Sequence, residues 1–501
     1  MAEPIVIVWD CGSTNIRAVA IDAAGKILAE ARADNGTVTQ PDSPSDWRIW
    51  DVERIHSDLC RLTAEVAARI DRSRIKALTI TTWGADGTVV AEDGTLAYPL
   101  ISWQCPRTNG PAEEIRNRIS PDEIFARTGY QIIPFNTIFK AMWIRRNAPQ
   151  AWQKGHKFLM VSGILSQRLT GEFSIDPTMA GTSMAFDAQT RAWDRKMLEI
   201  AGVDEAIFPR MVEPGQVIGQ LRPDQAQKCN LPAGLPVTAA GHDTQFALYG
   251  SGAELDQAVL SSGTWEILMI RTQAFRPTAE AFNAGILIEQ DASKGLVNPQ
   301  FLMMASGALE WLIRHLWPAE GEKVSYDRIV GEAGKIAAGA EGLVFLPSFV
   351  PSTGPASHYG TPGSLIGLQL AATRGHIYRA ALEGLAMQLR HALDLFAQTV
   401  GFEARGIALV GGGSKNALWN QIRADVTGLP VVVTEHKEAT VLGAAMFALV
   451  GTGHFGSIEQ ARETIAVGKS VIEPGRDREA YQGLYNRYRK LNEAVGPAYK
   501  A

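Results

Sequence analysis

Short apolar runs alternate with helical apolar patterns along this chain. Two such runs, residues 5–8 and 16–21, flank a polar turn at 10–14, which is typical of a β-hairpin. The amphipathic stretch 52–71 predicts a helix, and the run 77–82 predicts another strand. Because strands and helices alternate, the pattern predicts an α/β fold.

A similar order of elements begins about halfway along the chain. The apolar runs 258–260 and 266–270 flank a turn of small residues at 261–264. Helical patterns follow, with further strand-like runs at 406–410 and 431–434. The second half therefore repeats the organisation of the first, which predicts an internal duplication.

Length and composition agree with a globular protein of two domains. A chain of 501 residues exceeds the usual size of one hydrophobic core, and its apolar share of 46% and charged share of 20% are ordinary. The Gly-Ser-Gly sequence at 250–252 interrupts the helical pattern. We therefore expect an N-terminal domain at residues 1–250 and a C-terminal domain at 251–501.

Charge, cysteine content and hydropathy argue against several classes of function. The net charge is −5 and no Lys/Arg-rich run occurs, so neither nucleic acid nor a membrane surface is an expected partner. The four cysteines are far apart in sequence and form no CxxC pair, which argues against a zinc site and a disulfide framework. The chain starts without a basic region and has no apolar run of membrane-spanning length, so we expect a cytoplasmic protein.

Two hairpin turns carry residue types that bind phosphate. A glycine beside small hydroxyl residues lets backbone N–H groups approach phosphate oxygens closely. The first turn consists of Gly12, Ser13, Thr14 and Asn15. The second contains Gly263 and Thr264 in the matching position of the second half. Together, two such turns could clamp a polyphosphate from both sides.

Two charged residues flank the first turn. Asp10, at the end of the first strand, is a candidate ligand of Mg²⁺, either directly or through water. Arg17, on the second strand, is a candidate phosphate contact. The alternative is an ordinary hairpin in which the aspartate only stabilises the turn.

A third glycine-rich turn, at residues 411–413, follows the strand 406–410. A helix predicted from Ser414 would then point free N–H groups and its positive dipole end at a ligand. The alternative is a tight strand–helix turn in which Ser414 caps the helix.

One aspartate is placed as a general base would be. Asp243 follows an apolar segment at 236–238, so it lies at or just past a strand end, close to the predicted domain boundary. A carboxylate there could accept a proton from a substrate hydroxyl. The alternative is that Asp243 caps the helix predicted at residues 244–249.

Aromatic segments suggest a sugar site. Trp83 and Trp103 stand beside polar residues such as Asp86. Tryptophan faces pack on the apolar face of sugars, while carboxylates and amides bind hydroxyls. The alternative is that both tryptophans are core residues.

Other nucleotide-binding motifs are absent or misplaced. Residues 451–456 fit GxGxxG but follow a helix instead of a strand, so we interpret them as a helix end. The chain has no GxxxxGK[ST] loop and no HRD/DFG pair. A dehydrogenase that binds NAD would rest only on the misplaced glycines.

Taken together, these segments resemble the FGGY carbohydrate kinases. The resemblance extends from Ile5 to about Gly453 and includes WDCGSTNIRAVAID, TTWGADGTVV, AGHDTQFALYGSGAE, VLSSGTWEILMI and LVGGGSKNALWNQI. It implies a two-domain α/β fold of the actin/hexokinase/Hsp70 type, which is ribonuclease H-like, with a cleft between the domains. It also implies ATP as co-substrate, Mg²⁺ as cofactor and a homodimer.

The resemblance implies roles for residues at matching positions. Asp243 is implied as the catalytic base and Asp10 as the metal-associated acid. The implied nucleotide contacts are Gly12, Ser13, Thr14, Asn15, Arg17, Gly263, Thr264, Gly307, Gly412 and Asn416. The implied sugar-site residues are Gly84, Asp86, His242, Asp243 and Gln245, to which the aromatic pattern adds Trp103.

The implied reaction is transfer of the ATP γ-phosphoryl group to the C1 hydroxyl of an open-chain ketose, with L-fuculose as the expected sugar. L-Rhamnulose, L-ribulose and D-xylulose are alternatives, because the sequence at 83–86 lacks the Arg-Glu pair of glycerol kinase-like members and resembles rhamnulokinases. The alternative from another class is a non-enzymatic nucleotide-binding protein on the actin/Hsp70 scaffold.

Overall fold

The computed structural model describes residues 3–273, 277–317, 325–350, 360–434 and 438–499. The strands in these ranges are β1 (Ile5–Cys11), β2 (Asn15–Asp22), β3 (Ile27–Asp34), β4 (Val38–Thr39), β5 (Arg48–Trp50), β6 (Ile75–Thr82), β7 (Gly87–Val90), β8 (Leu100–Ile101), β9 (Lys157–Met160), β10 (Ser174–Ile175), β11 (Arg210–Met211), β12 (Val217–Gln220), β13 (Pro236–His242), β14 (Gln257–Ser262), β15 (Trp265–Met269), β16 (Thr272–Gln273), β17 (Leu287–Gln290), β18 (Leu296–Met304), β19 (Val344–Leu346), β20 (Ser364–Ile366), β21 (Gly406–Val410), β22 (Val431–Thr434) and β23 (Lys469–Ile472).

The α-helices of the same ranges lie between and after these strands. They are Val52–Ala67, Asn109–Ile115, Pro121–Thr128, Thr137–Asn147, Pro149–Lys154, Val161–Thr170, Pro177–Gly181, Arg195–Ala201, Pro223–Cys229, Asp243–Gly250, Ala279–Asn283, Ser306–Leu316, Tyr326–Gly334, Arg374–Val400, Ala417–Thr427, Ala439–Gly451, Ile458–Thr464 and Arg478–Val495.

The first large sheet has the strand order β12-β13-β6-β1-β2-β3. Strand β1 pairs antiparallel with β2 and parallel with β6, so the hairpin predicted from the sequence is confirmed. Strand β1 is buried on both faces because helices cover each side. Its residues Ile5 and Ile7 pack with the helix Val52–Ala67, whereas Val6 and Val8 pack with the helix Ala439–Gly451.

The second large sheet has the order β16-β18-β15-β14-β21-β22-β23, with β17 paired to β18. Its central strands repeat the first sheet: β14 is antiparallel to β15, β15 is antiparallel to β18, and β21 and β22 continue in parallel. The repeated pattern in the sequence therefore corresponds to two sheets of the same local topology.

Two helices from opposite halves of the chain pack backbone to backbone. A Cβ on Gly443 would lie 1.9 Å from the Phe246 carbonyl oxygen, and one on Gly250 would lie 1.8 Å from that of Ala439. Only glycine permits this approach between the helices Asp243–Gly250 and Ala439–Gly451. The contact brings the start of the later helix, with Glu438, towards the first sheet.

One predicted helix start needs correction. A 3₁₀ turn at Gly412–Lys415 precedes the helix Ala417–Thr427, so Ser414 is not its cap. Asn416 caps it instead, because its side-chain oxygen accepts a hydrogen bond from the Trp419 backbone N–H at 3.0 Å.

Candidate active site

The first predicted phosphate turn joins β1 to β2 at the edge of the first sheet. Gly12 N–H donates to the Asn15 carbonyl at 2.9 Å, and the Asn35 side chain donates to the Gly12 carbonyl at 2.7 Å. These bonds fix the turn, while Thr14 and Asn15 remain exposed. Gly12, Ser13, Thr14 and Asn15 thus lie together on an accessible turn.

Asp10 and Arg17 face each other across the β1–β2 ladder. The Arg17 guanidinium donates to Asp10 Oδ2 and forms a second ion pair with Glu438 at 2.6 Å. Arg17 therefore orients two carboxylates, and this arrangement gives no support to the predicted phosphate contact. Glu438 was not predicted, since nothing in the local sequence pattern connects it to Asp10.

The second predicted phosphate turn joins β14 to β15 and contacts Gly307. The Gly307 N–H donates to the Thr264 carbonyl at 3.1 Å. A Cβ on Gly307 would lie 3.2 Å from Thr264 Cγ2, so the glycine lets the two segments approach. Gly263 and Thr264 are exposed. Three predicted nucleotide residues thus share one surface.

The glycine-rich turn after β21 packs against the same region. Gly411 has φ +88°, and a Cβ there would lie 2.6 Å from the Ser262 carbonyl oxygen. A Cβ on Gly413 would lie 2.0 Å from the Ser262 hydroxyl oxygen. Gly412, in contrast, faces open space, with no atom within 4 Å of a Cβ position. Gly412 is therefore accessible to a ligand, as predicted.

A buried ion pair supports both of these turns. Arg423 and Glu266 have side chains that are only 1% exposed, and both bond to the Ser262 hydroxyl. Burial lowers the pKa of Arg423, an effect that the Glu266 charge opposes. Asn416 is also buried and donates to the Tyr326 hydroxyl at 3.0 Å. Its predicted role in an adenosine pocket stays a prediction.

Asp243 begins a helix at the end of β13, as the sequence pattern predicts. Its side chain is 29% exposed, so a ligand can reach the carboxylate. The Thr244 backbone N–H donates to Asp243 Oδ1 at 2.7 Å, and a helix start favours a negative charge. Burial nevertheless raises the pKa of Asp243 to about 6; His242 opposes this shift, and Asp10 adds to it.

His242 lies between Asp243 and a carboxylate of the second sheet. Its Nδ1 is 3.0 Å from Glu289 Oε2, and its Nε2 is 3.6 Å from Asp243 Oδ1. Burial lowers the pKa of His242, but the Glu289 charge and hydrogen bond outweigh burial and raise it to about 9. This shift favours the imidazolium form of His242 at neutral pH.

Gly84 lies against His242, and Trp103 is partly exposed. A Cβ on Gly84 would lie 3.2 Å from the His242 ring, so the glycine keeps the segment against the histidine. Trp103 is 39% exposed, whereas Trp83 is buried. Trp103 can therefore offer a face to a sugar, and the core interpretation holds only for Trp83.

Asp86 and Gln245 are placed differently from the prediction. The Asp86 carboxylate is fully buried; its Oδ2 accepts from Trp50, Trp83 and the Trp103 backbone, and its Oδ1 is 2.9 Å from Lys140 Nζ. These contacts occupy the group that was predicted to bind a sugar hydroxyl. Asp86 therefore orients tryptophans.

Gln245 is also fully buried, and its amide donates to Glu289 Oε2 at 2.6 Å. This hydrogen bond helps to fix the position of the Glu289 carboxylate. A charged residue inside an apolar pattern was the available signal for the residues missed here: Lys140 lies within FNTIFKAMWI and Glu289 within GILIEQ.

The carboxylates near the first turn fit Mg²⁺. This ion prefers oxygen ligands and uses one or two carboxylates with waters and substrate phosphates. Asp10 is the predicted metal-associated acid, and its Oδ2 also accepts from Arg17 Nε at 3.1 Å. In the ranges that the structure describes, no three His, Cys, Asp or Glu side chains form a metal-binding group. The donors therefore suit an ion shared with nucleotide phosphates.

The four cysteines are free and buried, and Cys60 Sγ lies 3.7 Å from His56 Nε2. Within the described part of the chain, no helix has both the length and the apolar character for a membrane crossing.

Comparisons with known proteins identify the family of this chain. Models of the FGGY family of carbohydrate kinases match the chain, the N-terminal domain at residues 5–250 and the C-terminal domain at 258–452. L-Fuculokinase from Escherichia coli (strain K12) is 40% identical over 468 residues, which cover 93% of this chain and 96% of that protein. L-Fuculokinase from Haemophilus influenzae is 39% identical over 482 residues, 94% of this chain and 99% of the relative.

A solved structure has the same fold. The xylulose kinase from Rhodospirillum rubrum superposes with a TM-score of 0.88 at 24% sequence identity, over 99% of this chain and 100% of that one. The two-domain α/β fold implied by the resemblance is thereby confirmed.

Proposed function

Because this chain belongs to the FGGY family of carbohydrate kinases, we propose that it transfers the γ-phosphoryl group of ATP to the C1 hydroxyl of L-fuculose, giving L-fuculose 1-phosphate and ADP. The L-fuculokinases that match nearly its whole length support the choice of sugar. One observation carries the chemistry: the accessible Asp243 carboxylate stands at a helix start beside His242 and the sugar-site glycine Gly84.

In this proposal Asp243 is the general base. Phosphoryl transfer passes through a loose transition state that asks mainly for alignment and charge stabilisation. The hydroxyl proton leaves as the new P–O bond forms, so a carboxylate with a pKa of about 6 suffices at neutral pH. His242 would stand beside the reacting hydroxyl, and its positive charge favours the ionised form of Asp243.

The two glycine-containing turns of the second sheet would hold the nucleotide. Gly263, Thr264 and Gly412 are exposed on adjoining segments, and the first turn with Thr14 and Asn15 is exposed on the other sheet. Backbone N–H groups at such turns bind phosphate oxygens without side-chain interference. Asp10 would hold Mg²⁺, which supplies charge neutralisation of the phosphates when it is bound.

Other parts of the proposal concern the protein as a whole. We place the domain boundary at residues 250–251, which the gap between the last residue of the helix Asp243–Gly250 and β14 supports. The cytoplasmic location and the homodimer stay predictions. Sedimentation of the purified chain at several concentrations measures its oligomeric state directly.

A panel of ketoses tests the substrate. ADP release would be measured with ATP, Mg²⁺ and L-fuculose, L-rhamnulose, L-ribulose or D-xylulose, and ¹³C NMR would identify the phosphorylated carbon. We expect L-fuculose to have the highest kcat/KM and C1 to receive the phosphate. Preference for another ketose would refute the sugar alone. ATP hydrolysis that no sugar stimulates would support the non-enzymatic alternative.

The pH dependence of sugar phosphorylation follows from two groups. Below a pH of about 6 Asp243 is protonated and cannot accept a proton, so activity is expected to rise with pH through this value. Above a pH of about 9 His242 loses its charge, and activity is expected to fall. The measurement is kcat/KM for the sugar at saturating ATP across this range. If kcat/KM did not fall as the pH is lowered through about 6, the role of Asp243 would be contradicted.

A further inference from the structure

Glu289 belongs to the second sheet, but its side chain lies among residues of the first half. Strand β17 carries it, and the carboxylate is only 2% exposed. Oε1 accepts from the Tyr130 hydroxyl at 2.5 Å, and Oε2 accepts from Gln245 Nε2 at 2.6 Å. Oε2 also lies 3.0 Å from His242 Nδ1. These three polar neighbours occupy both oxygens of the buried Glu289 carboxylate.

We propose that Glu289 is a positioning residue, which holds His242 so that Nε2 donates to the substrate oxygen next to the hydroxyl deprotonated by Asp243. The inference rests on the proposed function and deepens it. In a ketose that is phosphorylated at C1, that oxygen is the C2 carbonyl oxygen. The site would thus recognise a 1-hydroxy-2-ketone as a unit.

The distances around His242 support separate roles for its two ring nitrogens, Nδ1 towards Glu289 and Nε2 towards the substrate. With Nδ1 bonded to Glu289, Nε2 has a long contact with the Thr244 hydroxyl at 3.4 Å, which a substrate oxygen can replace. Nε2 is 3.6 Å from Asp243 Oδ1, which is too long for a hydrogen bond. A donor and an acceptor at this separation can each bind one of two oxygens on adjacent carbons.

The charges around His242 favour its protonated form. Three carboxylates act on the ring, Glu289 most strongly and then Asp243 and Asp176, and together they outweigh the effect of burial. Glu289 itself stays ionised, because the His242 charge and the donors around it lower its pKa against the effect of burial. If the charge were removed, one of the two oxygens would become an N–H or O–H donor, so either Tyr130 or Gln245 would lose its acceptor.

Glu289 is not the only link between β17 and the first half. The Ile288 N–H donates to the Gly129 carbonyl at 2.8 Å, and the Gln290 side chain donates to the Ala188 carbonyl at 3.2 Å. The segment therefore remains docked when the Glu289 charge is lost. A substitution at this position tests the charge more than the attachment of the strand.

The substitution Glu289→Gln keeps the shape and removes the charge. We expect kcat/KM for the ketose to fall about 10- to 100-fold, as for the loss of a hydrogen bond to a charged group, with KM for ATP unchanged. The alkaline limb of the pH profile should move to lower pH. In ¹⁵N-histidine NMR without sugar, the His242 ring should titrate at lower pH than in the wild type.

Asp291→Asn is the matched control. Asp291 is a buried carboxylate two residues further along, and it accepts from the Asn298 side chain at 2.8 Å and from Tyr249. This variant should lower Tm comparably while leaving the His242 titration and the ketose KM unchanged. A folded Glu289→Gln protein with the wild-type ketose KM and His242 titration would overturn the inference.

Two results separate this inference from the proposed function. If no ketose is phosphorylated but the His242 titration shifts in Glu289→Gln, the function fails and the link between Glu289 and His242 stands. If Glu289→Gln does not fold, the wild-type NMR titration decides. A His242 that titrates at or below the ordinary histidine value of about 6.5 would overturn the inference.

Discussion

The substitution Asp243→Asn is expected to lower kcat about 10²–10⁴-fold, the usual effect of losing a general base. Asparagine is nearly isosteric, and its side-chain oxygen can still accept from the Thr244 N–H that now bonds Asp243 at 2.7 Å. It cannot take the hydroxyl proton. Sugar and nucleotide should therefore still bind, because the turns and the His242–Glu289 pair are untouched.

Binding and turnover must be measured separately for this test. Calorimetry would give Kd for the sugar and for ATP, and the coupled assay would give kcat. Thr244→Ser, which keeps the backbone N–H bonded to Asp243, is a conservative control beside the base. Equal losses of binding and turnover in a folded Asp243→Asn protein would contradict the role of general base.

Replacing Lys140 with methionine is expected to lower the free energy of unfolding by about 3–5 kcal/mol, the typical effect of breaking a buried ion pair. Lys140 and Asp86 are both fully buried, with Nζ and Oδ1 2.9 Å apart. Burial lowers the pKa of Lys140, and the Asp86 charge opposes this shift. Methionine fills similar space but leaves the carboxylate without a cation.

The double variant Lys140→Met/Asp86→Asn distinguishes the loss of the ion pair from the cost of leaving one charge buried alone. Removing both charges should restore part of the stability lost in Lys140→Met, because no uncompensated charge is then buried. Asp86→Asn should also raise the KM for the sugar, since Oδ2 orients the Trp103 backbone at 3.1 Å. Thermal unfolding of the three variants is the measurement. A Tm of Lys140→Met equal to the wild type would contradict the prediction.

Much of the fold was predictable because strands and turns leave local signals. Strand β1 reads as a continuous apolar run, since helices cover both of its faces. The glycine turn before Asn416 also has a local signal, although the helix was predicted from Ser414 and begins three residues later, at Ala417. The prediction chose a serine as cap where the structure uses an asparagine.

The candidate site was predicted less completely than the fold. The position of Asp243 followed from a strand end and a helix start, both of which are local. Arg17 was predicted to contact phosphate, but Glu438, more than four hundred residues away, competes for its guanidinium. Such a competition depends on packing between halves, which no local pattern records.

The sequence by itself determined the alternation of strands and helices, the three glycine turns and the aspartate that follows β13. Periodicity and backbone freedom are properties of neighbouring residues, so they can be read locally. Only the tertiary structure decided the partners of the charged groups: Asp86 pairs with Lys140, and His242 pairs with Glu289. A charge in a low-dielectric interior takes its form from whichever partner the fold brings within a few ångströms.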